Sequence, residues 1–298
     1  MLGERSAFEG LVSDYFQKFG FRDHELLLKK FTTYFLQSFD RGQWICSLFE
    51  CLAGTAIDTQ RVLDLGTGPG GLAVCCAKHG AEVTAVDIDS DMLRMAQALA
   101  TERQVGISTC IANFERLPFK ESSFDIVFLI DVLEHDYQFA RESLRESLRV
   151  LKPGGIAFVK IGNGLFPFEP HSHLFFANWL PERIGNSYVR MRRREFFRMW
   201  ESIGDVRLPS YREVKSLLDD SGHAKRKCIY GAFSSYVPFV SEFRPGYAPF
   251  GIRVPKVFEQ FLGSRFVIEL LAKSPFIQCA KDWFAVLRSD GWPALPVK

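Results

Sequence analysis

The chain has no C-x-x-C pair, although seven cysteines are scattered over its 298 residues. Thiols odd in number and scattered without a regular spacing do not suit the disulfide framework of a small secreted domain and suit buried cysteines in a reducing compartment. Cys75 and Cys76 are adjacent, so on a helix they point in different directions. Long apolar runs are missing too. The most apolar stretch, DIVFLIDVL, is bounded by Asp125 and Asp131 and falls well short of the ~20 residues that cross a bilayer. It reads as a buried strand. The opening, MLGERSAFEG, sets Glu4 and Glu9 where a secretory signal requires an unbroken apolar core. These absences point to a cytoplasmic chain without a membrane span. Neither sign of charge is in excess: 37 Lys and Arg against 35 Asp and Glu leave +2, which supplies no global pull toward nucleic acid. Repeats and low-complexity tracts are absent as well.

Phenylalanine, by contrast, is abundant, with 29 residues, enough to fill a core and to line apolar pockets. From Arg61 to Ile161 short β-rich runs alternate with helical ones. RVLDL, AEVTAVD, GISTCIA, SFDIVFLI and IAFVKI read as strands. GLAVCCAKHG, DMLRMAQALATER behind a Ser90 cap, and YQFARESLRESLRVL stopped by Pro153-Gly154-Gly155 read as helices. That rhythm implies an α/β fold, a parallel sheet with helices on both faces. Ser6–Ala53 reads as two or three amphipathic helices. After Ile161 the rhythm breaks: Asn163–Asn186 has no clean period, and Val189–Trp200 reads as a basic-aromatic helix. SYREVKSLLDDSGH opens with a capping box of Ser210 and Glu213. KRKCIYGAF and IQCAKDWFAVLRS read as the sixth and seventh strands, with an apolar helix near Lys256–Lys273 between them. The expected organisation is an N-terminal helical cap (1–55), a core (56–161), an insertion (162–209), a closing helix and β-hairpin (210–232 and 275–290), and a second, helical insertion (233–274).

The stretch RVLDLGTGPGG carries the clearest chemistry. Glycines at a strand-to-helix turn let backbone approach a ligand, and the helix N-terminus offers free N–H groups. Gly66, Gly68 and Gly71 spell G-x-G-x-x-G, while Gly66, Gly68 and Gly70 spell G-x-G-x-G. Asp64, two residues before Gly66, would repel a pyrophosphate and is tolerated by a ligand bearing an ammonium. Asp87, closing the second strand ~20 residues after the first glycine, is placed to accept two ribose hydroxyls; that feature suits a dinucleotide equally.

Four segments, VLDLGTGPG, VTAVDIDSDML, RLPFKESSFDIVFLIDVLEH and LRVLKPGG, stand in the order and spacing of class I S-adenosylmethionine-dependent methyltransferases, small-molecule (type 11-like) branch. The chain resembles that family over roughly a third of its length. The resemblance implies a Rossmann-like seven-stranded sheet whose last strand inserts antiparallel, and S-adenosyl-L-methionine as cofactor. Gly66, Thr67, Gly68 and Gly70 would pass under its methionine part, with Asp64 orienting the loop or accepting from the ammonium. Asp87 would chelate the ribose, and Ile88 and Met92 would flank the adenine. Asn113 stands where the family usually has Asp to accept from the adenine amine. Phe114 would present its N–H to the ring. Asp131, Val132 and His135 would lie beside the transferred methyl.

Transfer from a sulfonium needs alignment above all, and a base only for an acceptor such as a hydroxyl. His135, with Glu134 as its weaker neighbour, ends the fourth strand's DVLEH. Glu169, His171 and His173 lie in PFEPHSHLFFANWLP after the fifth strand, over the same sheet edge. His135, His171 and Glu169 are the candidate catalytic residues; His173, Phe168, Tyr15 and Tyr34 are candidate acceptor contacts. The H-x-H lacks supporting ligands for a metal, so none is expected. The basic run RMRRREFFR could face RNA or an acidic membrane surface, but more often such a run is a solvated face. No D/N-P-P-Y/F tetrapeptide follows the fourth strand and no Pro-Cys nucleophile is present, which disfavours nucleic acid as partner. The reading is methyl transfer to a small, partly apolar acceptor. An RNA- or protein-directed methyltransferase, a non-catalytic cofactor-binding accessory protein and a nicotinamide-dependent oxidoreductase stay open as alternatives.

Overall fold

The computed structural model describes residues 6–18, 25–135, 137–166, 168–169, 171–172, 174–192, 208–219, 226–232 and 282–288. Three helices come first: α1 (Ala7–Lys18), α2 (Glu25–Leu36) and α3 (Ser38–Ala53). The alternating segment follows as β1 (Arg61–Leu65), α4 (Gly71–Lys78), β2 (Glu82–Asp87), α5 (Ser90–Glu102), β3 (Ser108–Ile111), β4 (Phe124–Ile130), α6 (Ala140–Val150) and β5 (Leu151–Gly162). Then come the short hairpin β6 (Phe168–Glu169) and β7 (Leu174–Phe175), α7 (Glu182–Arg192), α8 (Tyr211–Asp219), β8 (Arg226–Ala232) and β9 (Asp282–Arg288). Among the described residues no helix is long and apolar enough to cross a membrane.

The principal sheet runs β3-β2-β1-β4-β5-β9-β8. Its first five strands are parallel, and β9 pairs antiparallel with both β5 and β8. Strand order reverses between β1 and β4, so the loops leaving their carboxyl ends diverge and open a crevice, the place where open α/β sheets take ligands. Both faces are covered. Val62, Ile126, Phe128 and Phe158 point toward a core closed by α1, α3, α4 and α5. Their neighbours Leu63, Val127, Leu129 and Val159 point the other way, toward α6 and α8. Residues one apart on a strand face opposite sides, which is why β4 reads as a nearly continuous apolar run. Phe49 of α3 meets Phe128 and Phe158 edge-on at 5.1 and 5.5 Å, anchoring the N-terminal helices on the sheet.

Several local expectations are refined. The cap of α5 is Asp89, whose side chain accepts the Asp91 N–H at 2.8 Å, rather than Ser90; an Asp in extended geometry outcompetes the serine that follows it. Pro153-Gly154-Gly155 lies inside β5, where register slips between Phe124 and Ile126, so the stop of α6 is a bulge and not a separate turn. The insertion holds a helix beginning at Glu182, seven residues before the expected one; the expected continuation to Trp200 and the helix near Lys256–Lys273 lie outside the described residues. The capping box of α8 forms as expected, with Ser210 N–H to Glu213 Oε2 at 2.7 Å and Glu213 N–H to Ser210 Oγ at 3.4 Å.

Candidate functional site

At the carboxyl end of β1 the glycine loop is tied to β2: the Gly66 and Thr67 N–H groups both donate to the Val86 carbonyl, at 2.8 and 3.0 Å. Asp64 lies beneath the loop, buried, and accepts the Thr67 hydroxyl at 2.7 Å. Burial pushes its pKa up to about 7, against the pull of that hydrogen bond. Gly68, at φ 53°, has nothing within 4 Å of where a Cβ would stand, so the loop is open above it. Gly70 serves packing: a Cβ there would fall 2.5 Å from the Ala96 Cα of α5. Asp87 closes β2 and accepts the Gly68 N–H through Oδ2 at 2.9 Å and the Asp89 N–H through Oδ1 at 3.0 Å. A carboxylate has about four acceptor positions, so capacity remains for a hydroxyl group. Burial pushes the Asp87 pKa up, and the backbone N–H groups of Asp89, Gly68 and Ile88 oppose it. Beside it Ile88 is 69% exposed, and Ile111, the residue of β3 in register with Asp87, is 62% exposed. Apolar side chains this open, flanking a buried acid, form a slot suited to a flat ring above a polyol.

The second half of the site lies past β4 and β5. Asp131 takes the left-handed conformation, φ 55°, uncommon for a residue with a side chain. Its N–H donates to the Lys160 carbonyl at 3.2 Å, and its carboxylate pairs with the Lys160 ammonium. Burial acts to raise the Asp131 pKa, but Lys160 outweighs it and the net shift is downward. Glu134 is 3% exposed; burial and then Asp131 push its pKa up to about 8, and its Oε2 has no partner among the described residues. The rings of His135 and His171 meet edge-on, centroids 5.3 Å apart. Glu169, fully buried, faces His171 Nδ1 at 2.7 Å, accepts the His171 N–H at 2.9 Å and accepts the Ser172 N–H. Against the effect of burial, this pairing holds Glu169 below its ordinary pKa and His171 above its own. Protein packed around His135, then the His171 charge, push its pKa downward, although the residue stays exposed. The arrangement sets a carboxylate-supported imidazole beside a neutral one at the crevice edge.

A family model described as a methyltransferase domain matches residues 63–159, the span from β1 into β5 that carries the glycine loop, Asp87 and Asp131. Residues 63–159 form a class I methyltransferase domain, type 11 branch. Curated relatives include the ubiquinone biosynthesis O-methyltransferase of Coxiella burnetii, 29% identical over 152 residues, which are 50% of this chain and 64% of that protein. The enzyme of the same name from Alkalilimnicola ehrlichii is 34% identical over 127 residues, 42% of this chain and 49% of that protein. The chain thus spans less than two thirds of the length of these relatives. Among solved structures, a SAM-dependent methyltransferase from Methanosarcina mazei is 20% identical, with TM-score 0.43, over 62% of this chain and 90% of that one.

Around this methyltransferase domain the remaining expected residues are distributed unevenly. Val132 is buried beneath Gly66 and supports the loop. Met92 is half-buried against the core shared by α1 and α5. Asn113 caps its own turn, its Oδ1 accepting the Glu115 N–H at 3.1 Å, while Phe114 packs on the opposite core. Tyr15 reaches not toward the histidines but to Asp89, its hydroxyl donating to Oδ2 at 3.1 Å. Tyr34 lies under the Arg41 guanidinium, 3.6 Å from the ring centroid. Phe168 belongs to β6, and His173 lies outside the described residues. Lys160 escaped the sequence reading. Its signal was a lone cation in the otherwise apolar strand IAFVKI, a charge that must find a partner if buried.

Proposed function

We propose that the protein transfers a methyl group from S-adenosylmethionine to a small acceptor. The carrying observation is the β2 corner: Asp87, held by the Gly68 and Asp89 amides, with exposed Ile88 next to it and an open Gly68 across from it. These residues fit a nucleoside whose ribose hydroxyls donate to Asp87 and whose base lies on Ile88. Gly66, Thr67 and Gly68 would line the methionine part, with Asp64 holding the loop through Thr67. Asn113 would accept from the adenine amine with its remaining lone pair. When bound, the cofactor supplies a sulfonium methyl that needs no further activation. The chain's part is to align the acceptor in line with it and to exclude water. The names of the two curated relatives support oxygen as the receiving atom. A hydroxyl acceptor must lose its proton, and His171, oriented by Glu169 at 2.7 Å, is the base we assign. His135, kept neutral, orients the hydroxyl. The helices of residues 1–55 and the insertion 162–209 would form the cap of this site.

The test is calorimetric titration with S-adenosylhomocysteine. Micromolar binding is expected for the natural chain. Asp87→Ala should lower affinity at least about thirtyfold by removing two hydrogen bonds to a charged acceptor. Equal affinity of the two proteins would refute the assignment. Incubation with labelled cofactor and a panel of phenols then separates an enzyme, which yields labelled product, from an accessory protein, which binds without turnover.

A further inference from the structure

We propose that Tyr15 is a positioning residue for the nucleoside: acting through Asp89, it holds the Asp87–Ile88–Asp89 corner in shape and makes α1 part of the cofactor site. The inference rests on the cofactor reading above and adds to it a residue from the N-terminal helices, 72 positions before Asp87 in the chain.

One continuous line of hydrogen bonds runs from α1 to the glycine loop. The Tyr15 hydroxyl donates to Asp89 Oδ2 at 3.1 Å. The Asp89 N–H donates to Asp87 Oδ1 at 3.0 Å, and Asp87 Oδ2 accepts the Gly68 N–H at 2.9 Å. Asp89 also caps α5 by accepting the Asp91 N–H through Oδ1 at 2.8 Å. Asp89 therefore faces two ways, with one oxygen given to the helix and the other to Tyr15. Three carboxylates, Asp87, Asp89 and Asp91, crowd five residues and repel one another. The N–H groups of Gly68, Asp89 and Asp91, the Lys18 ammonium on Asp91 and the Tyr15 hydroxyl answer that repulsion. Without the hydroxyl, Asp89 Oδ2 would confront Asp87 uncompensated, and the corner would open.

Tyr15 suits this task. Its ring is fixed edge-on to Phe16 at 5.4 Å and stacked on Phe35 at 6.0 Å. Burial, then Asp89 and Asp87, push its pKa upward, so it stays a donor at any pH the protein meets. Helix α1 is anchored at the far end of α5 as well, where the Phe8 N–H donates to Glu102 Oε1 at 2.9 Å. That second anchor allows the positional role to be separated from simple attachment of the helix.

The experiment titrates full-length natural protein, Tyr15→Phe and Glu102→Ala with S-adenosylhomocysteine and with 5′-methylthioadenosine, which keeps the nucleoside and lacks the amino-acid end. Tyr15→Phe should bind both ligands about tenfold more weakly, while Glu102→Ala, loosening α1 at its other end, should stay within about twofold. In hydrogen exchange, ligand should protect residues 7–18 in the natural protein and protect them less in Tyr15→Phe, since coupling between two parts is reciprocal. Affinity of Tyr15→Phe within twofold of natural for both ligands would overturn the proposal. So would an equal loss in Glu102→Ala, which would make Tyr15 only an attachment point. If the natural protein binds neither ligand, the cofactor reading itself falls, and this inference with it.

Discussion

Glu134 and His171 are titrating groups whose pKa values are both pushed upward, and each can be tested singly. The Glu134 carboxyl is neutral in the folded chain up to about pH 8, whereas in the unfolded chain it ionises near its ordinary value of about 4.3. Between those limits the folded state holds the extra proton, so the Glu134 contribution makes stability fall as pH rises, and above pH 8 the loss is complete. Glu134→Gln, which mimics the neutral form, should be more stable than the natural chain at pH 8 by at least about 1 kcal/mol. At pH 4 the two should be equal; urea melts at both pH values check this. For His171 the shift is upward, so the base form is lost on acidification already above the ordinary imidazole value. The acid limb of kcat/KM should lie above pH 6.5. Glu169→Gln should move it downward and lower the plateau about tenfold or more; an unmoved limb would remove His171 from the base role. At this scale the sequence was legible where chemistry is local. Asp87, the glycine loop and the two histidines stood out. The Asp131–Lys160 pair did not, because Asp131 follows β4 while Lys160 lies on β5, and only the pairing of those strands brings them together.

At the scale of elements, periodicity and caps carried most of the reading. The five parallel strands and their helices alternate in runs long enough for periods of two and 3.6 to separate. The hairpin β6–β7 did not show, because two residues per strand are too few for any period. Glu169 lies on this hairpin and His171 between its strands, so the proposed acceptor side is the less legible half of the site. Two substitutions probe the elements. Gly70→Ala would drive a methyl into Ala96, 2.4 Å from its Cβ, at a backbone angle disfavoured for alanine, and should cost at least about 2 kcal/mol. Ser210→Ala removes half the capping box of α8 and should cost roughly 1 kcal/mol. Thermal melts measure both, and an unchanged Gly70→Ala would mean that α5 can retreat from the loop.

Across the whole molecule, the crevice joins two ligand halves built on opposite sides of the β1–β4 reversal, so occupancy by a ligand that touches both should stabilise the fold globally. At one hundred times its dissociation constant, S-adenosylhomocysteine should add about 2.7 kcal/mol, visible as a concentration-dependent rise in melting temperature. The strand order itself cannot be read from periodicity, which says which segments are strands and not which are neighbours; its antiparallel last strand was an expectation of the family resemblance. That strand has a further consequence. β9 occupies the slot between β5 and β8, yet it is residues 282–288, about 120 residues after β5 is complete. During synthesis the rim of β5 therefore emerges from the ribosome with its hydrogen-bonding groups bare, and it waits for β9 to be made before it is sealed. A nascent rim of this kind is a pairing hazard, open to strands of other chains for as long as the intervening residues take to be made.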